Sequence, residues 1–116
     1  MRSSKLEELA YKIADLLSEY HCHIDVAIYF ENKRLSTFAD IDENYGKWVL
    51  QEGYKGSDYT EYANDSTITM TFEGDFYDVM NYGYLPELYD KFQKLLESCG
   101  FYFELGNAWN LALYDI

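Results

Sequence analysis

A chain of 116 residues with 48% hydrophobic and 19% aromatic side chains can bury one core and is too rich in rings to be disordered. Its 21 acidic and nine basic residues give a net charge of −12, which sets it against anionic lipid and against direct contact with nucleic acid. Two cysteines make no disulfide framework, and no apolar run is long enough to span a bilayer. The charged and apolar residues that alternate at the N-terminus predict no secretory leader, so a cytoplasmic setting is expected, in the producing cell or in an infected host. With neither a repeat nor a low-complexity linker, residues 1–116 read as a single acidic domain.

Ser4-Lys5-Leu6-Glu7 fits a capping box, and Leu6, Leu9, Ala10, Ile13, Leu16, Leu17 and Tyr20 follow at helical spacing. A helix over about residues 4–20 is predicted. Ile24, Val26, Ile28 and Phe30 alternate with Asp25, Ala27 and Tyr29, the period of a half-buried strand. Polar Glu31-Asn32-Lys33-Arg34 predicts a hairpin turn, with the return running from Leu35 to Phe38. After an acidic loop at Asp40–Asn44, Trp48, Val49 and Leu50 suggest a third strand. Residues 52–66 are polar, tyrosine-rich and broken by Gly53 and Gly56, whereas Thr67 to Phe72 has the β-branched and aromatic content of a strand.

Gly74 to Tyr82 predicts a short helix. A longer one starts at Pro86, where the missing amide costs nothing, and stops at Gly100. Phe101, Phe103 and Leu105 alternate as a strand. Gly106-Asn107 then fits a two-residue hairpin turn into Trp109, Leu111 and Leu113. This order implies an α+β fold: an antiparallel sheet of four to six strands with the N-terminal helix and one or two later helices on one face.

The chemistry-bearing motifs are few. Asp40, Asp42 and Asn44 are spaced like the opening of a calcium loop. Tyr45, however, stands where the sharp-turn glycine belongs, and Gln51 where the bidentate glutamate belongs. His21-Cys22-His23 offers imidazole and thiol, but zinc draws four ligands, usually from more than one segment, and adjacent residues in an extended chain point apart. No metal or cofactor is therefore expected. Neither a nucleophile elbow nor a phosphate-binding glycine loop is present, and two neighbouring histidines leave little scope for a catalytic relay. The chain reads as a binding protein, not an enzyme.

The charge is unevenly placed. Residues 36–90 hold twelve acids against Lys47 and Lys55, so ten of the twelve net negative charges fall there. The expected partner-binding residues are Asp40, Asp42, Glu43, Glu52, Asp58, Glu61, Asp65, Glu73, Asp75 and Asp78, with Tyr54, Tyr59 and Tyr62 as aromatic anchors. Solubility explains scattered carboxylates; concentrating them costs self-repulsion and asks for another reason. Duplex DNA sets one phosphate per roughly 3.4 Å of each strand, and alternate strand residues repeat at roughly 6.5–7 Å, so carboxylates on strands and loops can track a phosphate path.

In size, acidity and aromatic content the whole chain resembles the small inhibitors encoded by phages and mobile elements, above all the anti-CRISPR proteins that act on Cas9. The stretch Asp40–Asp65 and the segment Phe72-Glu73-Gly74-Asp75-Phe76-Tyr77 carry that resemblance. It implies a stoichiometric, non-enzymatic inhibitor that fills the basic site where the nuclease holds the duplex beside the protospacer, with arginines as partners for the carboxylates. Two other readings stand beside it. One is an immunity protein or antitoxin that neutralises a basic nuclease toxin; the other is a calcium-binding or regulatory domain built on Asp40, Asp42 and Asn44.

Overall fold

The computed structural model of the chain describes residues 4–39 and 45–116. Asp40, Asp42, Glu43 and Asn44 lie outside the described residues. The elements run α1 (Lys5–Glu19), β1 (Val26–Phe30), β2 (Lys33–Ser36), β3 (Val49–Glu52), β4 (Ile68–Phe72), α2 (Gly74–Tyr82), α3 (Pro86–Ser98), β5 (Phe101–Asn107) and β6 (Asn110–Asp115). The six strands make one antiparallel sheet in the order β3-β2-β1-β4-β6-β5. The α+β architecture expected from the sequence is the one observed.

Alternation builds the core. Val26, Ile28 and Phe30 of β1, Ile68, Met70 and Phe72 of β4, and Leu111 and Leu113 of β6 project to one face. There they meet Leu9, Ile13 and Leu17 of α1, Phe76 of α2, and Leu88, Phe92 and Leu96 of α3. Phe72, Phe76 and Phe92 form a run of edge-to-face rings with centroids 5.1 and 5.4 Å apart. Each such side chain adds about 1.5–3 kcal/mol by leaving water.

The helix ends follow their caps, with one change. Ser4 Oγ accepts the Glu7 amide at 3.0 Å, so half of the capping box forms. The Glu7 carboxylate does not return to Ser4; it pairs with Lys33 at 3.4 Å and ties α1 to the start of β2. Pro86 opens α3 in its first turn, and Gly100, at φ +87°, ends it as expected.

Two strand expectations need correction. The β1–β2 turn is the pair Glu31-Asn32, both at positive φ, and Lys33 and Arg34 already belong to β2. Gly106-Asn107 does not make the last hairpin turn: both residues remain in β5, and Ala108 and Trp109 turn the chain. Asn107 Oδ1 accepts the Trp109 amide at 3.2 Å, so the asparagine starts the turn instead of sitting inside it.

The largest departure concerns the second face of the sheet. All five residues of β1 are buried, Ala27 and Tyr29 included, so the strand is covered on both sides and not half-buried. The cover is the connector from β3 to β4, which links strands separated in the sheet by β2 and β1.

Candidate functional site: an aromatic and acidic face

The connector lies on the sheet because its backbone and small polar side chains are paired there. Asn110 of β6 is fully buried; its Oδ1 accepts the Thr60 hydroxyl and its Nδ2 donates to the Tyr62 carbonyl, both at 3.2 Å. Asn64 donates from Nδ2 to the Leu113 carbonyl at 2.7 Å, and the Thr67 hydroxyl reaches the same oxygen at 2.6 Å. The Asn64 amide donates to Thr69 Oγ1 at 2.9 Å. Two glycines permit this approach. A Cβ on Gly56 would stand 2.8 Å from Thr69 Cβ, and one on Gly106 would collide with Tyr62 Cβ.

On this layer the aromatic side chains stack in sequence. Tyr29 stacks on Tyr59 with centroids 5.3 Å apart, and Tyr59 on Tyr54 at 6.4 Å. The Arg34 guanidinium lies 3.9 Å from the Tyr54 centroid and 5.2 Å from that of Phe38. Its Nε and Nη2 both donate to Gln51 Oε1, at 3.2 and 2.7 Å. Burial pushes the Tyr29 phenol above its ordinary value, against the opposing influence of Arg34 and Thr71.

Where the stack ends, a cleft of about 400 Å³ opens towards the start of β1. Its walls are Tyr29, Tyr59, Phe38 and Trp109, and its carboxylates are Asp25 and Glu73. The Glu73 amide donates to the Asp25 carbonyl at 3.1 Å, and the Phe72 amide to the Trp109 carbonyl at 2.8 Å, so the backbone fixes three corners of the rim. Asp25 sits at φ +60°, an uncommon conformation that aspartate tolerates better than most residues. Its Oδ1 accepts the Tyr45 hydroxyl at 2.5 Å, which pushes that phenol above its ordinary value.

The described residues expected from sequence fall into separate groups. Glu52 closes the edge strand β3, opposite Lys33. Asp58, Glu61 and Asp65 belong to the connector, while Glu73, Asp75 and Asp78 cluster at the start of α2. All seven are exposed, but only Glu52 stands on a strand. Asp65 is also a structural residue: its two oxygens accept the amide and the hydroxyl of Ser57 and hold the 3-10 turn Gly56–Asp58. Tyr59 and Tyr62 are 47% and 46% exposed, so each has surface to offer, whereas Tyr54 is half-buried beneath Arg34.

Sequence reasoning missed Asp25, Tyr29, Phe38 and Trp109 as members of this face. One signal for them was present. Ala27 and Tyr29 are poor choices for a wet strand face, and their presence between Val26, Ile28 and Phe30 indicates a covered one.

The other motifs take structural places. Cys22 is buried, its amide donating to the Leu17 carbonyl at 2.8 Å and its thiol facing the Tyr20 carbonyl, while His21 is exposed. Among the described residues no three His, Cys, Asp or Glu side chains are grouped to hold a metal ion. Gln51, at the place a calcium loop gives to its bidentate glutamate, is a β3 residue bound to Arg34. Among the described residues no helix is long and apolar enough to cross a membrane. Comparison with protein families, with characterised proteins and with solved structures finds no match to this chain.

Proposed function

We propose that the protein is a stoichiometric, non-enzymatic inhibitor that occupies the basic nucleic-acid site of a CRISPR nuclease such as Cas9, offering carboxylates where the nuclease expects phosphates. One observation carries the reading. Among the described residues, Glu52, Asp58, Glu61, Asp65, Glu73, Asp75 and Asp78 are all exposed and none is in an ion pair. The ion pairs among the described residues join Lys33 to Glu7, Lys91 to Glu87 and Lys94 to Asp90, and none involves these seven. With no base among the described residues to hold them, these seven carboxylates are open to an external cation.

Apart from Glu52 on the edge strand, the carboxylates are presented by a loop and a helix, not by a row of strand residues. Such a surface steers encounter with a basic cleft and yields association that slows as salt rises. The exposed rings of Tyr59 and Tyr62 supply contact area that the charges do not.

The test is target-DNA binding and cleavage by Cas9 with increasing amounts of the protein at low and moderate salt. Titratable loss of DNA binding that weakens with salt is the expected result. Loss of cleavage with DNA binding intact would move the contact to the nuclease machinery and overturn the phosphate-mimic mechanism. No effect on Cas9 enzymes of several types would overturn the assignment and favour a nuclease toxin as the target.

A further inference from the structure

We propose that the cleft bounded by Tyr29, Phe38, Tyr59, Trp109, Asp25 and Glu73 is a receptor for one arginine side chain of the protein's partner. The inference rests on the reading above for the source of the arginine; the chemistry of the cleft stands by itself.

Four rings line the opening, and the faces of aromatic rings carry partial negative charge that attracts cations. Two carboxylates share it, and among the described residues no basic side chain lines it. Among the described residues neither Asp25 nor Glu73 is paired with a base. An apolar guest would leave both carboxylates facing it without compensation, and an anion would be repelled.

The choice of guanidinium over ammonium comes from the same face. Arg34 already lies over the ring of Tyr54 and beside Phe38, with two N–H groups on one Gln51 oxygen. Phe38 borders both that internal arrangement and the cleft. The cleft thus repeats the surroundings of Arg34, rings beside hydrogen-bond acceptors, with carboxylates replacing the neutral amide. A planar, weakly hydrated cation with several in-plane donors meets both needs, whereas an ammonium group keeps more of its water and cannot stack.

The rim is also set before any guest arrives. The amide of Glu73 on the Asp25 carbonyl joins the two backbone segments, and the hydroxyl of Tyr45 on Asp25 Oδ1 fixes where the Asp25 carboxylate stands. Preorganisation of this kind lowers the ordering cost of binding.

The experiment is a two-dimensional NMR titration of the full chain with N-acetyl-arginine methylamide, and in parallel with the citrulline and lysine analogues. Arginine should give saturable shifts at the amides of Tyr29, Thr71 and Glu73 and at the Trp109 indole. Citrulline, which has the same shape without the charge, should bind about tenfold more weakly or not at all. Lysine should fall between them. The paired variant Asp25→Asn/Glu73→Gln keeps size and hydrogen-bonding oxygens, so its spectrum should stay native while arginine affinity falls about tenfold.

Equal response to arginine and citrulline, or shifts spread over Asp58 and Asp78 without the cleft, would overturn the proposal. So would full arginine affinity in the paired variant. The assay contains no nuclease, which separates the two readings. Arginine binding without inhibition would sink the inhibitor assignment and keep the cleft; inhibition by a protein that fails the titration would do the reverse.

Discussion

The ring of Tyr59, carried by the connector, stacks on that of Tyr29 in β1 with centroids 5.3 Å apart and planes inclined by 26°. This contact turns the polar stretch between β3 and β4 into a second layer of the fold and forms one wall of the cleft. Tyr29 is 4% exposed and Tyr59 47%, so the pair joins an interior residue to a surface one.

The pair should therefore be energetically coupled. Tyr29→Ala leaves a cavity under the connector and should cost about 3 kcal/mol or more. Tyr59→Ala should cost less. In a double-mutant cycle by urea denaturation, the interaction energy should be about 0.5–1.5 kcal/mol, the range for stacked rings. A value near zero would mean that the connector rests on its hydrogen bonds alone.

Those hydrogen bonds should be the larger support. Asn110→Ala leaves the Thr60 hydroxyl and the Tyr62 carbonyl without their buried partner and should destabilise by about 2–3 kcal/mol. Gly106→Ala should act at the same place by a different cause, since the added methyl drives into Tyr62, with a cost of about 1–3 kcal/mol. Both variants should make residues 53–66 the first site of limited proteolysis. Cleavage starting elsewhere would contradict the role given to the connector.

The carboxylates of the connector should separate into two kinds. Asp65→Ala removes the acceptor for Ser57 and should lower stability by about 1 kcal/mol. Asp58→Ala and Glu61→Ala have no such partner among the described residues and should change stability by less than about 0.5 kcal/mol. In an inhibition assay, reversal of Asp58, Glu61, Asp75 and Asp78 to lysine should slow association more than it speeds dissociation. Unchanged kinetics would remove these four from the contact.

The two cysteines should differ sharply. Burial, assisted by the charge of Asp75, pushes the Cys22 thiol from 9.0 up to about 11, while Cys99 is exposed. At pH 8 a thiol reagent should modify Cys99 at once and Cys22 only as fast as the protein opens. The folded state holds the Cys22 proton more tightly than the unfolded one. Its contribution to stability is therefore complete below about pH 9 and is lost as pH rises through about 11. The urea midpoint of the wild type should fall across that window more than that of Cys22→Ala.

Much of this architecture is legible in the chain, for identifiable reasons. Helices α1 and α3 have a sustained 3.6-residue apolar period, and their ends carry Ser4, Pro86 and Gly100. The strands of the core alternate cleanly on the helix side. The connector is not legible, because threonines, asparagines and tyrosines that pair with a sheet look the same in sequence as those that face water. Asn110 illustrates this: between Trp109 and Leu111 it reads as an exposed polar position, yet it is fully buried. Gly106 misleads for a related reason, since closeness to Tyr62 and a hairpin turn both ask for glycine. The acidic residues were visible from composition, but the division of the described ones between connector, helix start and edge strand was not.

The cleft is drawn from chain segments far apart in sequence: Asp25 to Phe38, Tyr59, Thr71 to Glu73, and Trp109. A synthetic peptide copying the acidic middle of the chain would carry the charge and none of the enclosure. Unfolding should therefore abolish recognition while leaving the overall charge attraction intact. An antibody that blocks the cleft should see only the native protein, and a denatured blot should be blind to it.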